Sequence, residues 1–128
     1  GLFLPNIFAI AATEAAYQSG APWLKQLLKY LKENLAFLND YVTNKIPGLR
    51  VIQPEGTYLV WLDFRDCGID PSRLGQFVRE EAKVALDAGT KFGCKEEGFE
   101  RMNIACPRTT LSEGLRRIEE AVRAVRNR

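Results

Sequence analysis

Leu24, Leu27, Leu28, Leu31, Leu35, Leu38 and Val42 recur at steps of three, four and seven. That spacing gathers side chains on one face of an α-helix. It predicts a long helix from Pro22 to Lys45, with Pro22 suited to the first helical position and Pro47-Gly48 stopping it. Lys25, Lys29, Lys32, Glu33 and Asn39 fall off the stripe. A shorter segment before it, Ile7 to Gln18, is apolar nearly all round and ends at Ser19-Gly20, so it is expected to need partners on several sides. Two later helices are predicted. One runs from Pro71 to Lys83, with Asp70 as its N-cap and Leu74, Phe77, Val78 and Ala82 facing inward. The other runs from Thr110 to Val125, buried along Leu111, Leu115, Ile118, Val122 and Val125, with Thr110 and Glu113 at capping-box spacing.

Between the helices the period drops to two. The segment TYLVWLDF, residues 57–64, reads as a strand with Tyr58, Val60, Leu62 and Phe64 on one face and Leu59, Trp61 and Asp63 on the other. Both faces are largely apolar, which predicts a central strand covered on each side. Leu49 to Gln53 is a shorter strand, joined to it by the turn Pro54-Glu55-Gly56. Val84 to Leu86 and Phe99 to Ala105 read as two more, separated by a glycine-bearing loop from Asp87 to Gly98. The resulting class is α+β (α/β layered): a small, mostly antiparallel sheet with helices packed on it.

Composition narrows the chemistry by exclusion. The 128 residues contain no histidine, which removes Ser-His and Cys-His dyads and histidine-ligated metals. Cys67, Cys94 and Cys106 are widely spaced and odd in number. They suit packing thiols in a reducing cytoplasm better than a disulfide framework or a zinc site. A net charge of +2 demands neither nucleic acid nor a membrane as partner. The last helix carries Arg116, Arg117, Arg123, Arg126 and Arg128, but Glu113, Glu119 and Glu120 interleave with them, as on a solvated face. The apolar opening GLFLPNIFAIAATEAAY, which starts on glycine, reads as the continuation of a longer chain.

One arginine occupies an unusual position. In NIACPRTTL, residues 103–111, an apolar strand ends, Pro107 stiffens the backbone, and Arg108 follows just before a helix. A guanidinium there offers a planar fork that matches a carboxylate. From spacing alone, a surface arginine or one paired with an acidic neighbour is the commoner outcome.

Three stretches together change that balance. PEGTYLVWLDFR (54–65), EEAKVALDAGTKFG (80–93) and GFERMNIACPRTTLSEGLRRI (98–118) resemble the C-terminal part of fold-type I pyridoxal-phosphate (PLP) enzymes, the class I/II aminotransferase superfamily, and within it the cystathionine β-lyase or C-S lyase branch. PNIFAIAATEAAYQSG at the start is similar to the end of that family's large domain. The resemblance implies that residues 1–20 finish a large PLP-binding domain otherwise absent here, and that residues 21–128 form the small C-terminal domain. It implies that Arg108 binds the α-carboxylate of an amino-acid substrate, with Gly56 and Tyr58 passing near the substrate. The GTKFG segment, residues 89–93, is expected to be a surface loop, with the mouth of the site as the other reading.

The cofactor lysine, the aspartate facing the pyridine nitrogen and most phosphate contacts would precede Gly1. The chain is therefore expected to carry no catalytic, cofactor-binding or metal-binding residue, Lys91 included, and to be inactive by itself. The parent would be a homodimeric lyase or aminotransferase using pyridoxal 5'-phosphate. The alternative is a free-standing amino-acid-binding module, in which Arg108 grips a carboxylate without a cofactor.

Overall fold

The computed structural model describes residues 4–93 and 97–127. The chain divides into two compact units, Gly1–Lys32 and Glu33–Arg128. The first unit holds helix α1 (Ile7–Ser19), capped by the Asn6 side chain, which accepts from the Ala9 N–H at 2.8 Å. Helix α2 (Ala21–Lys45) begins here and runs on into the second unit. None of α1's residues is buried, and Ile7, Phe8 and Tyr17 are exposed. Gly20, expected as a stop, is an ordinary right-handed residue (φ −77°, ψ −11°) joining two helices.

The second unit contains a four-stranded antiparallel sheet of order β1-β2-β4-β3, formed by Arg50–Ile52, Leu59–Asp63, Phe99–Asn103 and Asp87–Ala88 for β1, β2, β4 and β3 respectively. Helices α3 (Leu74–Glu80) and α4 (Arg108–Arg126) complete it. The expected fold class is the one observed. The core joins the second half of α2 (Leu38, Val42), the sheet (Val60, Leu62, Met102), α3 (Leu74, Phe77, Val78) and α4 (Leu111, Leu115, Ile118, Val122). On the opposite face of β2, Trp61 meets the edge of Phe92, ring centroids 5.8 Å apart.

Several boundaries differ from the sequence expectation, each for a local reason. The α2 stripe is not buried end to end: Leu38 and Val42 are buried while Leu24 and Leu28 are 49% and 57% exposed. Periodicity marks the face that is apolar, not how much of it this chain covers. The strand expected at Val84–Leu86 is absent. Lys83 takes a left-handed φ of 55° and the Val84 N–H returns to the Val78 carbonyl at 3.0 Å, so this apolar run reverses the chain off α3. The sheet's fourth strand is instead Asp87–Ala88, inside the expected loop. Asp70 does accept from the Ser72 N–H at 3.0 Å, as expected of a cap, but the helix opens with a 3-10 turn over Pro71–Arg73. The final helix starts at Arg108, two residues early, with Pro107 at the N-cap position and no side-chain cap. Thr110 therefore lies inside the first turn, and Glu113 is taken by Arg116 and Arg117.

Candidate functional site

The site forms where β4 ends. The Ile104 N–H donates to the Tyr58 carbonyl at 3.0 Å, extending the β2–β4 ladder by one bond past the Leu59–Asn103 pair. The Asn103 side chain then accepts from the Ala105 N–H at 2.8 Å, a local turn that bends the chain out of the sheet. Pro107, with φ −54° and ψ 142°, carries it into α4. Arg108 is consequently the first helical residue, half-buried, rather than a residue ahead of the helix.

Arg108 is held from α2. Its Nε donates to Asn34 Oδ1 at 2.8 Å, and its guanidinium carbon lies 4.6 Å from the centroid of the Phe37 ring. Asn34 is fully buried, and its Nδ2 donates to the Ile104 carbonyl at 2.8 Å and the Cys106 carbonyl at 3.0 Å. One carboxamide thus ties α2 to the end of β4 and to Arg108. Sequence reasoning did not single out Asn34 or Phe37. The available signal was Asn34's place between Leu31 and Leu38 on the apolar stripe, where an unpaired amide would cost stability.

The three residues expected to bind substrate are placed differently. Tyr58 stands at the same sheet end as Arg108: its carbonyl, Ile104, Asn34 and Arg108 form one run of hydrogen bonds. The residue is 45% exposed. Gly56 is exposed, and a Cβ added there would meet nothing within 4 Å, so no close approach in this chain requires a glycine. The unusual backbone belongs to its neighbour. Thr57 has φ 65°, which a β-branched residue rarely adopts, and its hydroxyl accepts from the Leu59 N–H at 3.2 Å. This turn shortens the strand expected from Thr57. Gly56 and Thr57 line a cleft with Gln53, Trp61, Phe92 and Arg101, which does not include Arg108.

Within the GTKFG segment, Phe92 lies on the Trp61 face of the sheet, with the Arg101 guanidinium carbon 3.8 Å from its ring centroid, while Lys91 lines a cleft with Gly75 and Glu100. Gly89 sits close to β4, where an added Cβ would lie 3.0 Å from the Phe99 carbonyl oxygen, tighter than ordinary contact. Cys67 is buried and burial pushes its thiol up to about 12, so it stays protonated packing. Burial also raises the Cys106 thiol. Cys94 lies outside the described residues. On α4, Arg116 pairs with Glu113 and Glu120, Arg117 with Glu113, and Arg123 with Glu119.

Among the described residues no group of acidic and cysteine side chains could hold a metal, and no helix is long and apolar enough to cross a membrane. Lys25, Lys29, Lys32, Lys45, Lys83 and Lys91 are all exposed.

Comparison with known proteins places this geometry in a family. The model of the aminotransferase class I and II family matches residues 2–118. Cystathionine beta-lyase PatB of Bacillus subtilis is 40% identical over 117 residues, covering 91% of this chain and 30% of PatB. Protein MalY of Escherichia coli is 43% identical over 126 residues, covering 98% and 32%. Among solved structures, cystalysin from Treponema denticola, which contains a pyridoxal 5'-phosphate cofactor, superposes with a TM-score of 0.88 at 30% identity, covering 95% of this chain and 31% of cystalysin. The PLP-bound C-S lyase from Staphylococcus hominis gives 0.83 at 32%, covering 91% and 31%. The chain thus spans about a third of the length of these relatives. With its α+β fold and its match over residues 2–118, the chain belongs to the class I and II aminotransferase family.

Proposed function

We propose that this chain is the C-terminal part of a PLP-dependent enzyme of the C-S lyase type, and that it contributes the grip on the substrate's α-carboxylate. The carrying observation is Arg108: half-buried at the end of β4, fixed at Nε by Asn34 and faced by Phe37. Bound in the remainder of the enzyme, PLP would act as the electron sink that makes a bond at Cα of the amino acid breakable. This chain's part is positional. Arg108 binds the carboxylate through paired hydrogen bonds, which orients the bond at Cα and excludes poses that would not react. Tyr58, exposed at the same sheet end, borders the substrate. Gly56, on the adjoining turn, is further out. Residues 1–20 are read as the end of the large domain, whose exposed apolar side chains that domain would cover. The lyase reading is preferred to the aminotransferase one because PatB and the Staphylococcus hominis protein carry lyase names.

In the full-length enzyme, Arg108→Lys should raise KM for a thioether amino acid at least tenfold while PLP stays bound by absorbance, since a point charge replaces a planar fork. Unchanged kinetics would remove Arg108 from the site. The chain alone, mixed with PLP, should give no stoichiometric borohydride-trappable adduct and form no keto acid. Saturable quenching of Trp23 and Trp61 fluorescence by amino acids in that chain would favour a free-standing binding module instead.

A further inference from the structure

We propose that Asn34, together with Phe37, is the positioning element of the carboxylate grip, setting the location and plane of the Arg108 guanidinium from α2. This rests on the reading of Arg108 given above and adds to it how that side chain is aimed.

The amide of Asn34 can be placed in only one orientation. Two carbonyl oxygens, those of Ile104 and Cys106, lie at 2.8 and 3.0 Å from Nδ2, so that atom must be the donor. Oδ1 then faces the Arg108 Nε at 2.8 Å. Asn34 is 0% exposed, so the arrangement is closed to bulk solvent. Phe37 follows three residues later, the interval that brings two side chains to one helix face, and its ring lies 4.6 Å from the guanidinium carbon. An in-plane hydrogen bond fixes one edge of a planar group, and a ring contact limits how that plane can turn. Together they leave a guanidinium with little rotational freedom to lose when a ligand arrives.

The choice of an amide matters as much as its location. An aspartate would also accept from Nε, but it could not donate to the Ile104 and Cys106 carbonyls. It would also place a negative charge against the guanidinium that must attract a carboxylate. Asparagine anchors the cation without lowering its charge. The two roles are joined: the same side chain that closes the strand end onto α2 aims the arginine leaving it.

The test uses the full-length enzyme and two ligands of equal size, L-alanine and L-alaninamide, which differ in the negative charge at the carboxyl position. The readout is the ratio of their dissociation constants, with Tm recorded for each variant. Asn34→Asp should reduce the preference for L-alanine about tenfold, and Phe37→Leu about threefold, with alaninamide affinity changed less than twofold in both. A folded Asn34→Asp that keeps the wild-type ratio overturns the proposal. If Asn34→Asp does not fold, Phe37→Leu decides: a reduced ratio supports the proposal and an unchanged one overturns it. Arg108→Lys separates the two levels. If it too leaves the ratio unchanged, the reading of Arg108 falls and this inference with it. If it abolishes the preference while Asn34→Asp and Phe37→Leu retain it, only the positioning role is lost.

Discussion

Asp63 and Glu100 are both 2% exposed and sit on the neighbouring strands β2 and β4, yet the fold treats them in opposite ways. Asp63 is enclosed by donors. Its Oδ1 accepts from the Arg65 N–H at 3.1 Å and the Arg65 Nε at 3.0 Å, its Oδ2 from the Arg65 Nη2 at 3.0 Å, and Arg50 lies 3.4 Å away. These hydrogen bonds hold its carboxyl below the usual range, against the effect of burial. Glu100 faces α3 at Gly75, where its Oε1 would lie 3.7 Å from an added Cβ, and lacks the arginine clamp that surrounds Asp63. Burial raises its carboxyl, and the charges of Lys91 and Arg79 offset this only in part. Burial alone therefore does not say whether a carboxylate stabilises a fold; the donors around it do.

The largest effect that could sharpen this contrast comes from Asp63→Asn. It should lower the stability of the chain in urea at pH 7 by about 2 kcal/mol, less than for a wholly buried ion pair because Arg65 is 44% exposed. The difference should be lost in acid. A depressed carboxyl stabilises fully above its unfolded pKa of about 3.9 and loses that contribution as pH falls through the folded value. Wild type and variant should therefore converge as pH falls below the unfolded value and through the lower folded one.

Glu100→Gln should act with the opposite sign, stabilising by about 1 kcal/mol at pH 7. A raised carboxyl is favoured while protonated, so its penalty is absent below the unfolded pKa of about 4.3 and grows as pH rises toward the folded value. The gain from the glutamine should fade near pH 4. Equal and same-signed effects for the two variants would break the comparison.

The smallest effect is expected at Glu113, whose carboxyl its Arg116 and Arg117 partners hold down at about 2. It is solvent-accessible on α4, so Glu113→Gln should leave the urea midpoint within experimental scatter. A large loss there would show that hydrogen bonds to a carboxylate matter without burial.

The third buried polar side chain, Asn34, shows where sequence reading stops. The helices were legible because long amphipathic segments repeat their signal over several turns: the stripe of α4 is buried at Leu111, Leu115, Ile118 and Val122 as spacing requires. So was β2, whose alternation puts Val60 and Leu62 in the core. Val84–Leu86 misled because an apolar triplet serves equally to cover a chain reversal. Arg108's place between a strand end and a helix was legible from the surrounding motif, but not its partners Asn34 and Phe37. Asn34 is a single polar residue in an apolar stripe, and its meaning depends on two carbonyls 70 and 72 residues away. Thr57 gave no sign of its left-handed backbone, since the glycine before it would be the expected residue for that conformation.

Those separations have a kinetic consequence. The bonds that converge on Asn34 bridge 70, 72 and 74 residues, so nothing in the local sequence can preform them. They become possible only once the end of β4 and the chain entering α4 have been brought against α2, a long-range loop closure. Under the carboxylate role proposed for Arg108, discrimination of a carboxylate from its amide would report that these long-range contacts have formed, and a chain halted before Arg108 would be blind to the difference.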